Sequence, residues 1–168
     1  MPRSLSLTAE SPNSLQRIRS AFDDERYWRA RLANFEAAAP TLDDLTTDAA
    51  GTTSVTMTMR FGGDQLPGPL QRLRLGSLQV VQRERWNALT NGTVRGEITI
   101  DAPRTPISGD GAVHLSPSCR GTQLSGTAKV RVGVPVIGGS IAGFIAGQLA
   151  NGIVDIVRIT DSWLAQNP

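Results

Sequence analysis

The sequence is poor in the residues that build most metal and disulfide sites. Cys119 is the only cysteine and His114 the only histidine among 168 residues. A single cysteine excludes a disulfide within the chain, and a structural zinc site takes four Cys or His ligands where this chain has two. We therefore expect no metal and no cofactor. The lack of disulfides favours a reducing, cytoplasmic location.

Lysine and aromatic residues are also scarce. Lys129 is the only lysine beside sixteen arginines, the formal net charge is +2, and aromatic residues make up 5% of the chain. The arginines alternate with acidic residues, as in DDERYWRAR (23–31), whereas nucleic-acid-binding proteins concentrate positive charge on one face. We expect no nucleic-acid partner and a mainly aliphatic core. The length suits one domain, residues 1–168.

One long uncharged segment raises the question of a membrane span. No charged residue lies between Val132 and Val154, yet Pro135, five glycines and several polar residues interrupt this run. At 100° per residue, the polar side chains from Gln148 to Gln166 fall on one side and the aliphatic ones on the other. This arrangement predicts an amphipathic helix on a core and no transmembrane segment. The N-terminal MPRSLSLTAE lacks the apolar stretch of a signal peptide.

Glycines recur in this helix at four-residue spacing, at positions 139, 143 and 147. Each glycine in a helix interior costs about 1 kcal/mol relative to alanine. We expect close approach of the helix backbone to a neighbouring strand or loop in compensation. A membrane dimerisation motif is the weaker interpretation, and a helix start that yields to admit a ligand is a third.

Alternating hydrophobicity predicts an antiparallel sheet between two helical regions. A first strand is predicted over 3–9. Ser11 then suits a helix cap and Pro12 the first helical position. A second short helix is predicted through Tyr27 to Leu32. Asn91-Gly92 is a hairpin signal. The remaining strands are predicted over residues 41–48, 53–61, 77–89, 94–100, 107–116 and 122–134. Strands grouped between helices indicate an α+β fold.

These elements carry a resemblance to a known superfamily. The stretches SLSLTAESP, AFDDERYW, ERWNALTNGTVRGE and VPVIGGSIAGFIAGQLANGI resemble an uncharacterised actinobacterial family of the START-like superfamily, which includes polyketide cyclases and lipid-transport proteins. The resemblance implies a helix-grip fold, in which a curved seven-stranded antiparallel sheet wraps around a long C-terminal helix. It also implies a cavity for a lipid, sterol or polyketide-like ligand, and carries over no catalytic residue.

Two residues are candidates for acid–base chemistry. Alternation along 77–89 places Gln82 and Glu84 on the side of Trp86, and a carboxyl group inside an apolar cavity has a raised pKa and can serve as acid or base. The favoured alternative turns Glu84 to solvent at a bulge or strand end, beside Arg83 or Arg85. His114 is more simply a sheet residue than a catalytic base.

The inward-facing apolar residues give a predicted cavity lining. Small inward residues (Gly96, Gly126 and Ala128) are expected to enlarge the cavity, and Trp86 is the aromatic residue expected to contact ligand. The predicted lining residues are Met57, Met59, Leu78, Val80, Trp86, Val94, Ile98, Ala128, Ile145 and Leu149.

Three functions remain open from the sequence. The first is a carrier or sensor of a hydrophobic small molecule, as a monomer or weak homodimer. The second is a cyclase- or hydratase-like enzyme that acts on an apolar substrate through Glu84 or His114. The third is a structural or interaction domain with a closed cavity, in which Phe144, on the polar side of the helix, makes a dimer contact. A simpler explanation for Phe144 is that the segment 62–76 covers it.

Overall fold

In the part of the chain that the structure describes, seven strands and the three predicted helices follow one another in the predicted order, with a further one-turn helix between the third and fourth strands. The structure is a computed structural model and describes residues 3–62, 66, 68–71, 76–135 and 138–168. The elements are β1 (Arg3–Ser11), α1 (Leu15–Ala21), α2 (Glu25–Leu32), a 3₁₀ segment (Ala33–Ala38), β2 (Thr41–Thr47), β3 (Thr53–Gly62), α3 (Gly68–Gln71), β4 (Ser77–Trp86), β5 (Val94–Ala102), β6 (Ile107–Ser118), β7 (Gly121–Val132) and α4 (Gly138–Gln166).

The strands form one antiparallel sheet in the order β1-β7-β6-β5-β4-β3-β2. Consecutive strands from β2 to β7 pair as hairpins, and β1 adds to β7 at the far edge. In the β4–β5 connection, Asn91 and Gly92 have φ angles of 54° and 74°, the left-handed pair that a tight hairpin turn requires. The predicted α+β helix-grip architecture is confirmed.

The first helix begins later than predicted. Ser14, not Ser11, caps α1, and its side chain accepts a hydrogen bond from the backbone N–H of Arg17. Ser11 is instead the last residue of β1, and its hydroxyl donates to Asp161 of α4. The sequence Ser-Pro therefore ends a strand and anchors the C-terminal helix. Asp24 caps α2, which begins at Glu25, and its side chain accepts a hydrogen bond from the backbone N–H of Arg26.

The C-terminal helix α4 lies on the concave face of the sheet. It makes most of its sheet contacts with β1 and β7. Over β3, β4 and β5 the helix is therefore less closely apposed to the sheet. Among the described residues, α4 is the one helix long and apolar enough to span a bilayer, and here it is the core helix. Its buried residues are Gly138, Ile141, Ala142, Ala146, Ile153, Ile156, Ile159, Thr160 and Leu164.

Close approach of α4 to its neighbours does not explain Gly147. A Cβ atom added at Gly147 or Gly152 would meet no atom within 4 Å, whereas one at Gly138 would lie 2.6 Å from the carbonyl oxygen of Val132. The prediction of tight packing is therefore wrong at Gly147. Close packing of the helix backbone occurs instead at Gly138, in the first turn of α4.

Glycine-to-alanine substitutions should separate these two kinds of position. Gly147→Ala should raise the free energy of unfolding by about 0.5–1 kcal/mol, because alanine favours the helix and has room. Gly96→Ala should lower it by about 1–3 kcal/mol, because the new methyl group would overlap the Trp86 ring, 2.4 Å from its nearest carbon. Urea unfolding measures both, and equal effects of the two variants would contradict the packing described here.

Candidate functional site

A cavity of about 250 Å³ lies between the sheet and α4. It occupies the region over β3, β4 and β5, where α4 is less closely apposed to the sheet. The exposed lining residues Phe35 and Gln148 mark where the cavity reaches the surface. The described residues that line it are Arg31, Leu32, Phe35, Met57, Met59, Phe61, Val80, Gln82, Ile98, Ile100, Ile145, Gln148, Leu149, Gly152, Ile153 and Ile156.

Six of the ten residues predicted to line the cavity border it. They come from three strands and one helix that are distant in sequence, so the folded sheet brings them together. These six are Met57, Met59, Val80, Ile98, Ile145 and Leu149. Whether they contact a ligand stays a prediction.

The other four lie elsewhere in the core. Leu78 packs in the apolar cluster at the α3 end of the sheet, and Trp86, Val94 and Ala128 pack in the cluster beside α1 and α2. The Trp86 ring lies 4.5 Å from the Phe22 ring, centroid to centroid, and is fully buried. Trp86 is therefore a core residue here.

The small inward residues do not enlarge the cavity either. The Trp86 ring fills the space at Gly96, and Ile153 of α4 approaches both Gly111 and Gly126. Because these glycines have no side chain, Trp86 and Ile153 can pack closely against the sheet at these positions.

Glu84 is buried on the concave face and forms a salt bridge with Arg31. Arg31 Nη1 donates to Glu84 Oε1 at 3.1 Å, and Nη2 donates to Oε2 at 2.6 Å. Gln82 Nε2 donates to Oε2 at 2.7 Å, and Trp86 Nε1 donates to Oε1 at 3.0 Å. A carboxylate has about four acceptor positions, so these four bonds saturate Glu84. The favoured expectation that Glu84 turns to solvent beside Arg83 or Arg85 is wrong, because β4 continues regularly through Trp86.

The environment of Arg31 keeps the guanidinium charged. Its centre lies 4.7 Å from the Trp28 ring and 6.0 Å from the Tyr27 ring. Burial alone would lower the pKa of Arg31. The charge and hydrogen bonds of Glu84, together with Tyr27, outweigh that effect and hold the pKa of Arg31 above its ordinary value. One end of the apolar cavity is therefore a closed, charge-neutral ion pair.

Sequence reasoning found Glu84 and Gln82 but missed Arg31. The signal was present, because Arg31 lies four residues after Tyr27 and three after Trp28, on the buried face of α2. A charged residue on an apolar helix face needs a buried partner. The inward Glu84 on β4 is the complementary group.

His114 lies on the opposite face of the sheet from Glu84. It is half-buried between its cross-strand neighbours Arg95 and Ser125. It borders a solvent-open depression of about 690 Å³ on the outer face, lined largely by small polar and charged residues. That depression is larger than the inner cavity but faces water. Since the sheet separates the two candidate residues, His114 and Glu84 cannot act on one bound substrate.

Phe144 of α4 can also be located. It is half-buried and packs against the apolar cluster that contains Leu66 and Leu70. That the segment 62–76 covers Phe144 stays a prediction. The spacing of Leu66, Leu70 and Leu73 predicts one short helical turn in this segment, where α3 lies, and Leu73 itself lies outside the described residues. Among the residues that the structure describes, no three His, Cys, Asp or Glu side chains come close enough to hold a metal.

Comparison with known proteins agrees with this geometry. The family model described as "Protein of unknown function (DUF2505)" matches residues 6–164. The uncharacterized protein Rv0481c of Mycobacterium tuberculosis is 28% identical, and the match covers 99% of both chains. The crystal structure of Ara h 8.0201 matches with a TM-score of 0.59 at 10% identity over 99% of both chains. Norcoclaurine synthase from Thalictrum flavum matches at 0.52 and 11%, over 98% of this chain and 94% of that one.

The chain thus has the helix-grip fold of these solved structures. Within that class, the chain belongs to the DUF2505 family.

The buried ion pair should be worth far more to stability than an exposed one. Glu84→Gln should lower the free energy of unfolding by about 3–5 kcal/mol, because it leaves the Arg31 charge buried without a counter-ion. The double substitution Arg31→Met with Glu84→Met should cost less than Glu84→Gln alone, because no buried charge remains. Urea unfolding measures each change.

The exposed Arg29–Glu25 pair of α2 supplies the matched control. Both of its side chains are more than half exposed, so Glu25→Gln should change stability by no more than about 0.5 kcal/mol. A Glu84→Gln variant as stable as Glu25→Gln would contradict the role given to the buried pair.

Proposed function

We propose that this protein binds a hydrophobic small molecule in the cavity between the sheet and α4, as a carrier or sensor. The observation that carries the proposal is a recessed space, open to solvent at Phe35 and Gln148, with apolar walls from β3, β4, β5 and α4 and a small polar end at Arg31 and Gln82. Ligand sites in proteins combine mostly apolar walls with a few placed polar groups. The solved structures support the proposal only through their shared fold.

The cavity volume narrows the class of ligand. Binding sites for drug-sized molecules usually measure about 300–1,000 Å³, and this cavity, at about 250 Å³, lies just below that range. A ligand of one or two rings or a medium-length chain fits this volume better than a phospholipid or an intact sterol. A small polyketide-like molecule belongs to the favoured class.

An acid–base enzyme is the weaker candidate. A general base must have a free lone pair within reach of the proton that it removes. All four acceptor positions of Glu84 are occupied by Arg31, Gln82 and Trp86, and His114 lies outside the cavity. The likeness to norcoclaurine synthase is one of fold, and it supplies no catalytic residue here.

The rest of the proposal concerns the setting in which the protein acts. We propose that residues 1–168 act as one domain, as a monomer or weak homodimer in the cytoplasm. The exposed free thiol of Cys119 suits a reducing compartment.

A leucine placed in the cavity should block binding. Gly152 borders the cavity, and a Cβ there meets nothing within 4 Å, so Gly152→Leu should fold and project its side chain into the ligand space. Naphthalene, an apolar probe of suitable size, should bind the unaltered protein and bind Gly152→Leu much more weakly. Isothermal titration calorimetry measures both affinities.

Gly147→Leu is the matched control, because Gly147 has the same open surroundings on the same helix but does not border the cavity. It should bind naphthalene as the unaltered protein does. Failure of the unaltered protein to bind naphthalene, or equal loss in both leucine variants, would overturn the proposed site.

A further inference from the structure

The polar end of the cavity presents one hydrogen-bond acceptor to any bound ligand. Glu84 is an ionised acceptor, so the Gln82 atom that lies 2.7 Å from Oε2 must be the donor Nε2. That bond fixes the orientation of the carboxamide and leaves Oε1 free to accept a hydrogen bond, while Nε2 keeps its second N–H. The network around Glu84 thus determines where Gln82 presents its oxygen.

The Gln82 oxygen is accessible and unused. Among the described residues, no group donates a hydrogen bond to Gln82 Oε1, while every buried side-chain nitrogen and oxygen there has a partner. An unpartnered oxygen is therefore not buried, and Gln82 borders the cavity. A ligand donor, an O–H or N–H group, would complete its hydrogen bonding.

The charge of this end disfavours an anionic ligand. Arg31 is the one cation among the described residues that line the cavity, and Glu84 already neutralises it through two hydrogen bonds. A ligand carboxylate beside Gln82 would lose its hydration and face the Glu84 carboxylate as well as Arg31. Such a burial without a dedicated counter-ion is strongly unfavourable.

From these observations, and resting on the proposed function, we infer that the cavity selects neutral amphipathic ligands whose hydroxyl or N–H group donates to Gln82 Oε1. Alcohols, phenols and indole-like rings belong to this class. Fatty acids and other carboxylates do not, although their apolar parts would fit. Gln82 is on this account the residue that determines specificity, with Glu84 and Arg31 as positioning residues.

Naphthalene and two of its derivatives, all of similar size, test the inference when their affinities are measured by isothermal titration calorimetry at pH 7. 1-Naphthol is neutral with a donor, 1-naphthoate is anionic, and naphthalene has neither group. One additional hydrogen bond should make 1-naphthol bind about three- to tenfold more tightly than naphthalene, and 1-naphthoate should bind more weakly than both. The preference is read in the unaltered protein and needs no variant.

Two glutamine substitutions then locate the preference. Gln82→Met removes the acceptor, so it should bring the naphthol-to-naphthalene affinity ratio close to one while naphthalene itself still binds, which also shows that the variant is folded. Gln79→Met makes the same change on β4 but on the opposite face of the sheet, outside the cavity lining, and should leave the ratio unaltered.

The outcomes separate the two proposals. If naphthalene binds but 1-naphthoate binds more tightly than 1-naphthol, or if Gln82→Met keeps the naphthol preference, the inference about ligand chemistry is wrong and the cavity site stands. If neither naphthalene nor 1-naphthol binds the unaltered protein, both proposals are wrong.

Discussion

Arg31 and Glu84 are removed from water together, and much of the interior is arranged around that constraint. Neither charge is tolerable in the core alone. Their pairing brings the end of α2 against β4 and places Trp28 and Tyr27 beside the guanidinium. The remaining acceptor positions of Glu84 hold Gln82 and Trp86 in fixed orientations. One salt bridge thereby closes the aromatic half of the core and forms the polar end of the cavity.

The cavity itself follows from where α4 rests on the sheet. The helix packs chiefly over β1 and β7, and its Ile153 reaches Gly126 of β7 and Gly111 of the neighbouring β6, where the absence of a side chain leaves room for it. A straight helix over a curved sheet cannot contact every strand equally. The space is therefore left over β3 to β5, on the side where α2 and the 3₁₀ segment approach. Flexible Met57 and Met59 line it, and thioether side chains adapt to varied apolar shapes.

Periodicity in the sequence predicts the fold well because strand and helix periods are local properties. The alternation of β4 is the clearest case, since it places Gln82, Glu84 and Trp86 on one face, as the structure does. Helix α1 was less predictable, because Ser11 and Ser14 are both capable caps and the choice is made by Asp161, far away in sequence.

The candidate site was only partly predictable because it depends on contacts between distant segments. The period of two identifies which residues face inward, but it does not distinguish a cavity wall from filled core. Trp86 shows the difference, since it occupies the space at Gly96 instead of the cavity. The partner of Glu84 was expected among its neighbours on β4, while the actual partner is 53 residues earlier, on α2.

The central claim is that the space between the sheet and α4 holds a neutral apolar small molecule in the cell. Native mass spectrometry of the protein purified from its own host tests it most directly. The account predicts a bound, uncharged organic mass well below that of a phospholipid, released when the protein is unfolded. Protein that emerges ligand-free under gentle conditions, or that carries a carboxylate or a phospholipid, would contradict it.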